Sequence, residues 1–317
     1  MFKFVVKRLL ILVPVLIGVS FIACLLFYMI PGDIVLVMLG QHVDPYTYAN
    51  VRKSLGLDIP FWQNFLTFTG DILKGDLGFS YIQQRPVNVI IAEALPVTTK
   101  LTVVALMVTV LVALPLGVLS AVRDRRALGV AVNTGSIIWF SMPSFLLALF
   151  LQLLFGVTLK WLPISGANQG LLSYVLPGLA VGLPLAAYYT RVTRASLLDV
   201  LGQEYILHAF GRGLPYRRVV IRHGLRNALI PVLTQLGMDL GMFMAGAVLT
   251  ETVFNLPGMG RLVFSAINTR DFPLLRGILV LFAVIVVLVN LVVDLLYARF
   301  DPKMAGIMVR EKTHAAG

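Results

Sequence analysis

Six long apolar runs dominate the chain, at roughly 9–30, 101–121, 130–159, 171–189, 229–253 and 277–297. Each is close to or above the ~20 residues that a helix needs to cross the hydrocarbon core of a bilayer. Hydropathy this sustained predicts six membrane-spanning helices, and the third run is long enough to tilt or to end before Lys160. Pro14, Pro115, Pro143, Pro177 and Pro184 lie within or near these runs. Neighbouring helices must re-satisfy the carbonyls that prolines free in a membrane, which favours a packed bundle over isolated anchors.

The first two runs are separated by residues 31–97, a stretch too long and too patterned for a simple connector. Within it, Phe61, Trp62, Phe65, Leu66, Phe68, Ile72 and Leu73 form an apolar face at helical spacing. An amphipathic helix lying in the membrane interface has this pattern. Two roles are open to it: a small cap packed on the mouth of the bundle, or an element that helps receive a substrate-delivering protein.

Composition agrees with the pattern. The chain is 58% hydrophobic and 13% charged, with a mean hydropathy of +0.89, which a soluble domain of this size could not bury. Its single cysteine, Cys24, sits in the first apolar run, so neither an intrachain disulfide nor a Cys/His metal site is available. The net charge of +11 does not indicate nucleic acid, because the basic residues cluster beside apolar runs. Lys3, Lys7 and Arg8 precede run one; Arg123, Arg125 and Arg126 follow run two. Arg191, Arg194, Arg212, Arg217, Arg218, Arg222 and Arg226 separate runs four and five, and Arg299, Lys303, Arg310 and Lys312 follow run six. By the positive-inside rule these segments, and both termini, are expected in the cytosol. The first run has the basic flank of a signal sequence but excessive length and no convincing cleavage site, so it is expected to be a retained anchor.

The segment 203–231, QEYILHAFGRGLPYRRVVIRHGLRNALIP, is unlike an ordinary connector. It is basic and helix-forming on both sides of Gly213. Glu204 suits the positive end of a short helix dipole, and Gly213 permits a positive-φ cap that bends the chain into the next helix. Arg217, Arg218, Arg222 and Arg226 offer charge to an acidic partner or lipid headgroups, or only fix topology.

The chain has no GxxxxGK[ST] loop, so it lacks the phosphate cradle that ATP hydrolysis needs. HExxH and GxSxG are absent, and His42, His208, His223 and His314 are scattered. Two acids fall in apolar spans, where a charge must face the bundle or a wet cavity. Asp294 near the end of the sixth run reads as structural. Asp239 lies mid-run, four residues after Gln235 and on the same helical face. Gly237, Gly241 and Ala245 form a small-residue stripe on roughly the opposite face, suited to close packing. Gln235, Asp239, Met242 and Phe243 are therefore the candidate lining of a substrate pathway, with an internally paired Asp239 as the alternative.

The chain resembles the permeases of peptide-class ABC importers, which carry dipeptides, oligopeptides, glutathione or nickel complexes. The resemblance runs through Pro31-Gly32-Asp33, Leu55-Gly56-Leu57-Asp58 with Pro60, Gly75-Asp76-Leu77-Gly78 with Ser80, and Arg85-Pro86-Val87. It continues through Glu251-Thr252-Val253-Phe254, Pro257-Gly258-Met259-Gly260-Arg261, Arg270-Asp271-Phe272-Pro273, and Asp294-Leu295-Leu296-Tyr297 with Asp301-Pro302. No one of these is specific, but their order and spacing together are. The segment at 203–231 resembles the family's "EAA loop", which docks on a separate ATPase. Glu204-Tyr205-Ile206, Ala209, Gly213, His223, Leu225, Arg226-Asn227-Ala228-Leu229 and Pro231 keep the family's frame, while Leu207, His208, Phe210 and Gly211 depart from it.

What the resemblance implies is an all-α polytopic membrane protein with the six-helix type I ABC importer permease fold, in a bacterial inner membrane. The expected divisions are a cytosolic start at 1–8, a first span at 9–30, the external segment 31–97, a core permease domain at 98–303 with a coupling loop at 191–230, and a cytosolic tail at 304–317. The implied coupling residues are Glu204, Tyr205, Ala209, Gly213, Arg217, His223 and Asn227. The implied partners are a second, homologous permease chain, two ATP-binding subunits that carry the ATP and Mg, an extracytoplasmic solute-binding protein and membrane lipid; this chain itself is expected to hold no cofactor. Transport by alternating access of di- or oligopeptides is the expectation, with glutathione, nickel chelates or opine-like conjugates as alternatives. A secondary transporter is the rival from another class, but it would need coupling residues in several spans and often an internal repeat.

Overall fold

The computed structural model describes residues 2–29, 33–40, 43–124 and 126–300, without the side chains of residues 2–9, 27, 34, 37, 241, 242, 244–247, 293, 294 and 296–300. The described chain is helical almost throughout, with one two-stranded hairpin. In order, the elements are α1 (Phe2–Tyr28), α2 (Ile34–Leu39), α3 (Pro45–Ser54), α4 (Phe61–Leu73), β1 (Phe79–Ser80), β2 (Arg85–Pro86), α5 (Val87–Val122), α6 (Ala127–Phe140) and α7 (Ser144–Leu151). There follow α8 (Val175–Leu201), α9 (Glu204–Gly211), α10 (Tyr216–Arg218), α11 (Arg226–Val253), α12 (Met259–Asn268) and α13 (Phe272–Phe300). A π-helical stretch, Gln152–Thr158, prolongs α7, and another, Val219–Leu225, joins α10 to α11.

Each of the six apolar runs is helical over most of its described residues. Among the described residues, Val87–Val122, Gly170–Leu201 and Phe272–Val292 are long and apolar enough to cross a membrane, and Leu10–Leu26 is a shorter apolar helix. The third run differs from a continuous span. Its axis bends by 96° between α6 and α7. The break falls at Ser141, Met142 and Pro143, where the proline ring pushes the preceding residue out of helical geometry.

The chain divides into two compact units. The first comprises residues up to 99 together with 255–288. Asp33 and Asp44 cap α2 and α3 by accepting from amides of their first turns, as N-caps should. Tyr48 donates to Asp33 at 2.5 Å, and Arg52 reaches both Asp33 and Asp58. That hydroxyl, with the amides of α2 and Arg52, holds the Asp33 carboxyl below its ordinary range against a smaller opposing effect of burial. The hairpin pairs Phe79 with Pro86 and Ser80 with Arg85. Ser80 donates to Asp271, which also accepts from the Leu274 amide at the start of α13. Asp271 is fully buried, and that burial pushes its carboxyl above the usual range, opposed by the Ser80 bond.

The second unit comprises 100–254 and 289 onward. Its central element is α8, which packs against α6, α7 and α11. Ala113, Ala186, Tyr189, Val232 and Leu236 make one apolar core. Small residues set the spacing of α5 and α8. Thr109 donates to the Gly182 carbonyl at 3.1 Å, and a Cβ on Gly182 would lie 2.7 Å from the Ala105 carbonyl oxygen. Close backbone approach through glycine is how membrane helices gain packing contacts without a hydrophobic driving force.

Candidate docking helix and span-embedded carboxylate

The segment after α8 folds into a short helix held to the unit by one narrow face. On α9, Ile206 and Ala209 are buried against Val219, with Leu201 and Leu214 packed around them. The other positions, Glu204, Tyr205, Leu207, His208 and Phe210, are exposed. Glu204 occupies the first turn, where its charge meets the positive end of the helix. Just past the helix end stands Gly213, whose φ is 77°. The Gly213 amide donates to the Phe210 carbonyl at 2.9 Å, and the Leu214 amide to the Ala209 carbonyl at 3.4 Å. This pair of bonds is the Schellman motif, and the packing of Leu214 near Ala209 supplies its usual apolar contact.

The chain then turns at Pro215 and runs through Arg217, Arg218, Arg222 and Arg226, all exposed. Phe210 and Tyr216 stack across the turn, centroids 5.9 Å apart and planes at 18°. Leu207, Phe210 and Tyr216 are thus exposed apolar and aromatic side chains on one side of α9 and the turn, and Tyr205 is exposed on another side of the helix. His223 is half-buried within the π-helical stretch. Gly224 there packs close to Leu197 and Leu201 of α8. Asn227, at the start of α11, donates to the Tyr205 hydroxyl at 2.8 Å. Ser196 of α8 donates to the Ala228 carbonyl at 2.8 Å.

Of the coupling residues expected from sequence, Glu204 at the start of α9 and Arg217 beyond the turn are exposed, and Tyr205 and Asn227 are bonded to each other. Gly213 shapes the turn, and Ala209 is a packing residue on the covered face. Leu207 and Phe210 entered the sequence reading only as departures from the family's frame, and Tyr216 was not singled out. Leu207 and Phe210 are apolar positions outside the 206/209 stripe, which was the available signal.

The second constellation is on α8 and α11. Asp239 is half-buried and accepts from the Tyr189 hydroxyl at 2.6 Å. Gln235 Nε2 lies 3.2 and 3.3 Å from its two oxygens. Tyr189 is fully buried, with Tyr188 edge-on at 5.1 Å. Gln235 and Asp239 therefore come together as their spacing requires, with Tyr189 as a third member. Tyr189 was not singled out in the sequence; a tyrosine in an apolar helix needs an acceptor for its hydroxyl, which was the available signal. Phe243 does not join them. It is 2% exposed and packs against Ala105 and Val181, so in this conformation it lines no open path. Met242, Gly241, Ala245 and Asp294 lie outside the described side chains, and Asp301, Pro302 and the tail 304–317 lie outside the described residues.

Long apolar helices packed through glycine define a multi-pass membrane protein. Comparison with known proteins gives the family. Residues 113–306 match the family described as binding-protein-dependent transport system inner membrane component, and residues 1–102 match its N-terminal counterpart. The chain is 38% identical over 307 residues to the glutathione transport system permease protein GsiC of Escherichia coli (strain K12), covering 95% of this chain and 98% of that one. The GsiC protein of Pectobacterium atrosepticum is 39% identical over the same coverage. A solved structure of inward-facing MetNI methionine ABC transporter aligns with a TM-score of 0.56 at 17% identity, over 67% of this chain and 96% of that one. The chain belongs to the binding-protein-dependent inner-membrane transport family, as a permease subunit of the peptide class of ABC importers.

Proposed function

We propose that this chain forms one half of the substrate pathway of a peptide-class importer and couples to ATP hydrolysis through α9. The exposed Leu207, Phe210 and Tyr216 on one side of α9 and its turn, with Tyr205 exposed on another, are the observation that carries the reading. Aromatic and apolar side chains exposed on a firmly seated helix mark a protein interface, and the arginines that follow add charge for an acidic partner surface. The occupant is an ATPase subunit, one on this chain and one on a homologous permease chain, with ATP and Mg bound on those subunits. A solute-binding protein delivers substrate on the opposite side. This arrangement puts α9, and with it both termini, in the cytosol, in agreement with the arginine distribution.

The relatives named as glutathione permeases support a peptide-like solute. Glutathione itself and short peptides are the substrates to test first. Uptake of labelled glutathione and of a labelled dipeptide is measured in cells expressing the complete importer, with each compound competing against the other. Saturable uptake that requires the ATPase and the binding protein is the expected result. Substrate movement into vesicles by this chain alone, driven by an ion gradient, would replace this reading with a secondary transporter.

A further inference from the structure

The amphipathic helix α4 carries a second apolar surface that its packing inside the first unit leaves open. Phe65 and Phe68 are buried, and Phe61 and Ile72 pack beside them in a cluster with Leu16, Cys24 and Val280. Trp62, Leu66 and Leu73 are 63%, 67% and 74% exposed. At about 100° per residue, Trp62, Leu66, Thr69 and Leu73 fall within about 60° of each other, beside the packed face. Gln63, Thr67 and Lys74 fall about 110° away from that stripe, and all three are exposed.

The position of α4 says what meets this stripe. Phe61 is 5.4 Å from Tyr28 and 5.5 Å from Phe21, and Phe65 is 5.7 Å from Phe21. At the other end, the Arg276 guanidinium lies 3.7 Å from the Phe68 ring centre. Arg276 is about one turn into α13, as Cys24 is about one turn from the end of α1. The first turns of α4 therefore meet α1 near its Tyr28 end, and Phe68 meets α13 near its start. Ile22, Leu25, Leu26 and Met29 form the exposed apolar face of α1 at this end. Trp62 packs on Phe21, 5.9 Å between centroids, and Phe21 is about 40° from Leu25 around α1. The stripe on α4 therefore continues the exposed face of a membrane helix.

We propose that α4 is an interfacial helix whose Trp62–Leu66–Leu73 stripe rests on the acyl chains of the leaflet at the Tyr28 end of α1. The tryptophan sits at headgroup depth, where its ring is favoured, and Gln63, Thr67 and Lys74 face water. The helix then anchors the segment between α1 and α5 against the membrane surface. The test places a benzoylphenylalanine photocrosslinker at Leu66, at Leu73 and, as a water-facing control, at Gln63, in cells carrying the complete importer. After irradiation the permease is isolated and its adducts are identified by mass. Phospholipid adducts at Leu66 and Leu73, severalfold above Gln63, are expected. Adducts to another polypeptide at both positions would overturn the proposal in favour of a protein occupant. So would labelling of Leu66→Cys by a membrane-impermeant thiol reagent as fast as Gln63→Cys, which would leave the stripe in water.

Discussion

The side-chain amide of Asn227 donates a 2.8 Å hydrogen bond to the hydroxyl of Tyr205, so the exposed helix α9 is tied to the first turn of α11. The same α11 carries Asp239 three turns further on. In the proposed coupling, a push on α9 would reach α11 by this direct bond as well as through the buried Ile206, Ala209 and Val219.

Removing that bond should uncouple rather than undock. An exposed neutral hydrogen bond contributes about 0.5–1.5 kcal/mol, too little to unseat a helix that keeps its packed face. Tyr205→Phe and Asn227→Ala are expected to leave membrane levels and ATPase co-purification near wild type while lowering uptake per ATP hydrolysed. Because the two residues share one interaction, the double variant should behave like either single one. Additive losses in a double-mutant cycle would refute a shared role.

The Gly213 turn yields a sharper contrast. No atom lies within 4 Å of a Cβ built there, so only the backbone angle penalises a side chain. A left-handed conformation costs an ordinary L-residue roughly 1–2 kcal/mol, and a β-branched one more. Asparagine tolerates it best. Gly213→Val should reach the membrane normally, yet lose ATPase co-purification and uptake. Gly213→Asn should keep most of both. Equal behaviour of the two variants would mean that the cap geometry is irrelevant to docking.

These elements were legible in the sequence to different degrees. The apolar runs were readable because membrane-crossing length is written directly in composition, and Gly213 because a glycine closing a short helix has few other uses. The 96° bend in the third run was not readable, since apolar character continues unbroken across Pro143 and hydropathy reports environment, not axis direction. The pathway face was half readable. Helical spacing put Gln235 beside Asp239, but could not say that Ala105 and Val181 cover Phe243, or that Tyr189 closes on Asp239 from fifty residues away.

Glycine spacing in the second unit predicts opposite outcomes for one chemical change. A methyl group on Gly182 would sit 2.7 Å from the Ala105 carbonyl oxygen and 2.9 Å from Val108. Overpacking of this kind costs about 1–3 kcal/mol. A methyl on Gly135 meets nothing within 4 Å, and alanine is favoured over glycine inside a helix by roughly 0.5–1 kcal/mol. Thermal unfolding of the purified permease should therefore show a lower Tm for Gly182→Ala and an equal or higher Tm for Gly135→Ala. A lowered Tm for both would mean that the face at Gly135 is covered in the assembled protein.

Asp239 separates a structural carboxylate from one that meets substrate. Its Tyr189 and Gln235 bonds satisfy part of its acceptor capacity, and its half-exposure leaves a route for a further donor. Asp239→Asn removes the charge with little change of volume and keeps an acceptor for the Tyr189 hydroxyl, so folding and membrane levels should persist. If the carboxylate meets a cationic substrate group, uptake of lysine-containing dipeptides should fall severalfold while uptake of neutral dipeptides stays near wild type. Tyr189→Phe serves as the counter-test. It removes a donor from Asp239 but no charge, so charge selectivity should remain even if levels drop. Equal loss for cationic and neutral dipeptides in Asp239→Asn, matched by Tyr189→Phe, would assign the pair to holding α8 against α11 and remove it from the pathway.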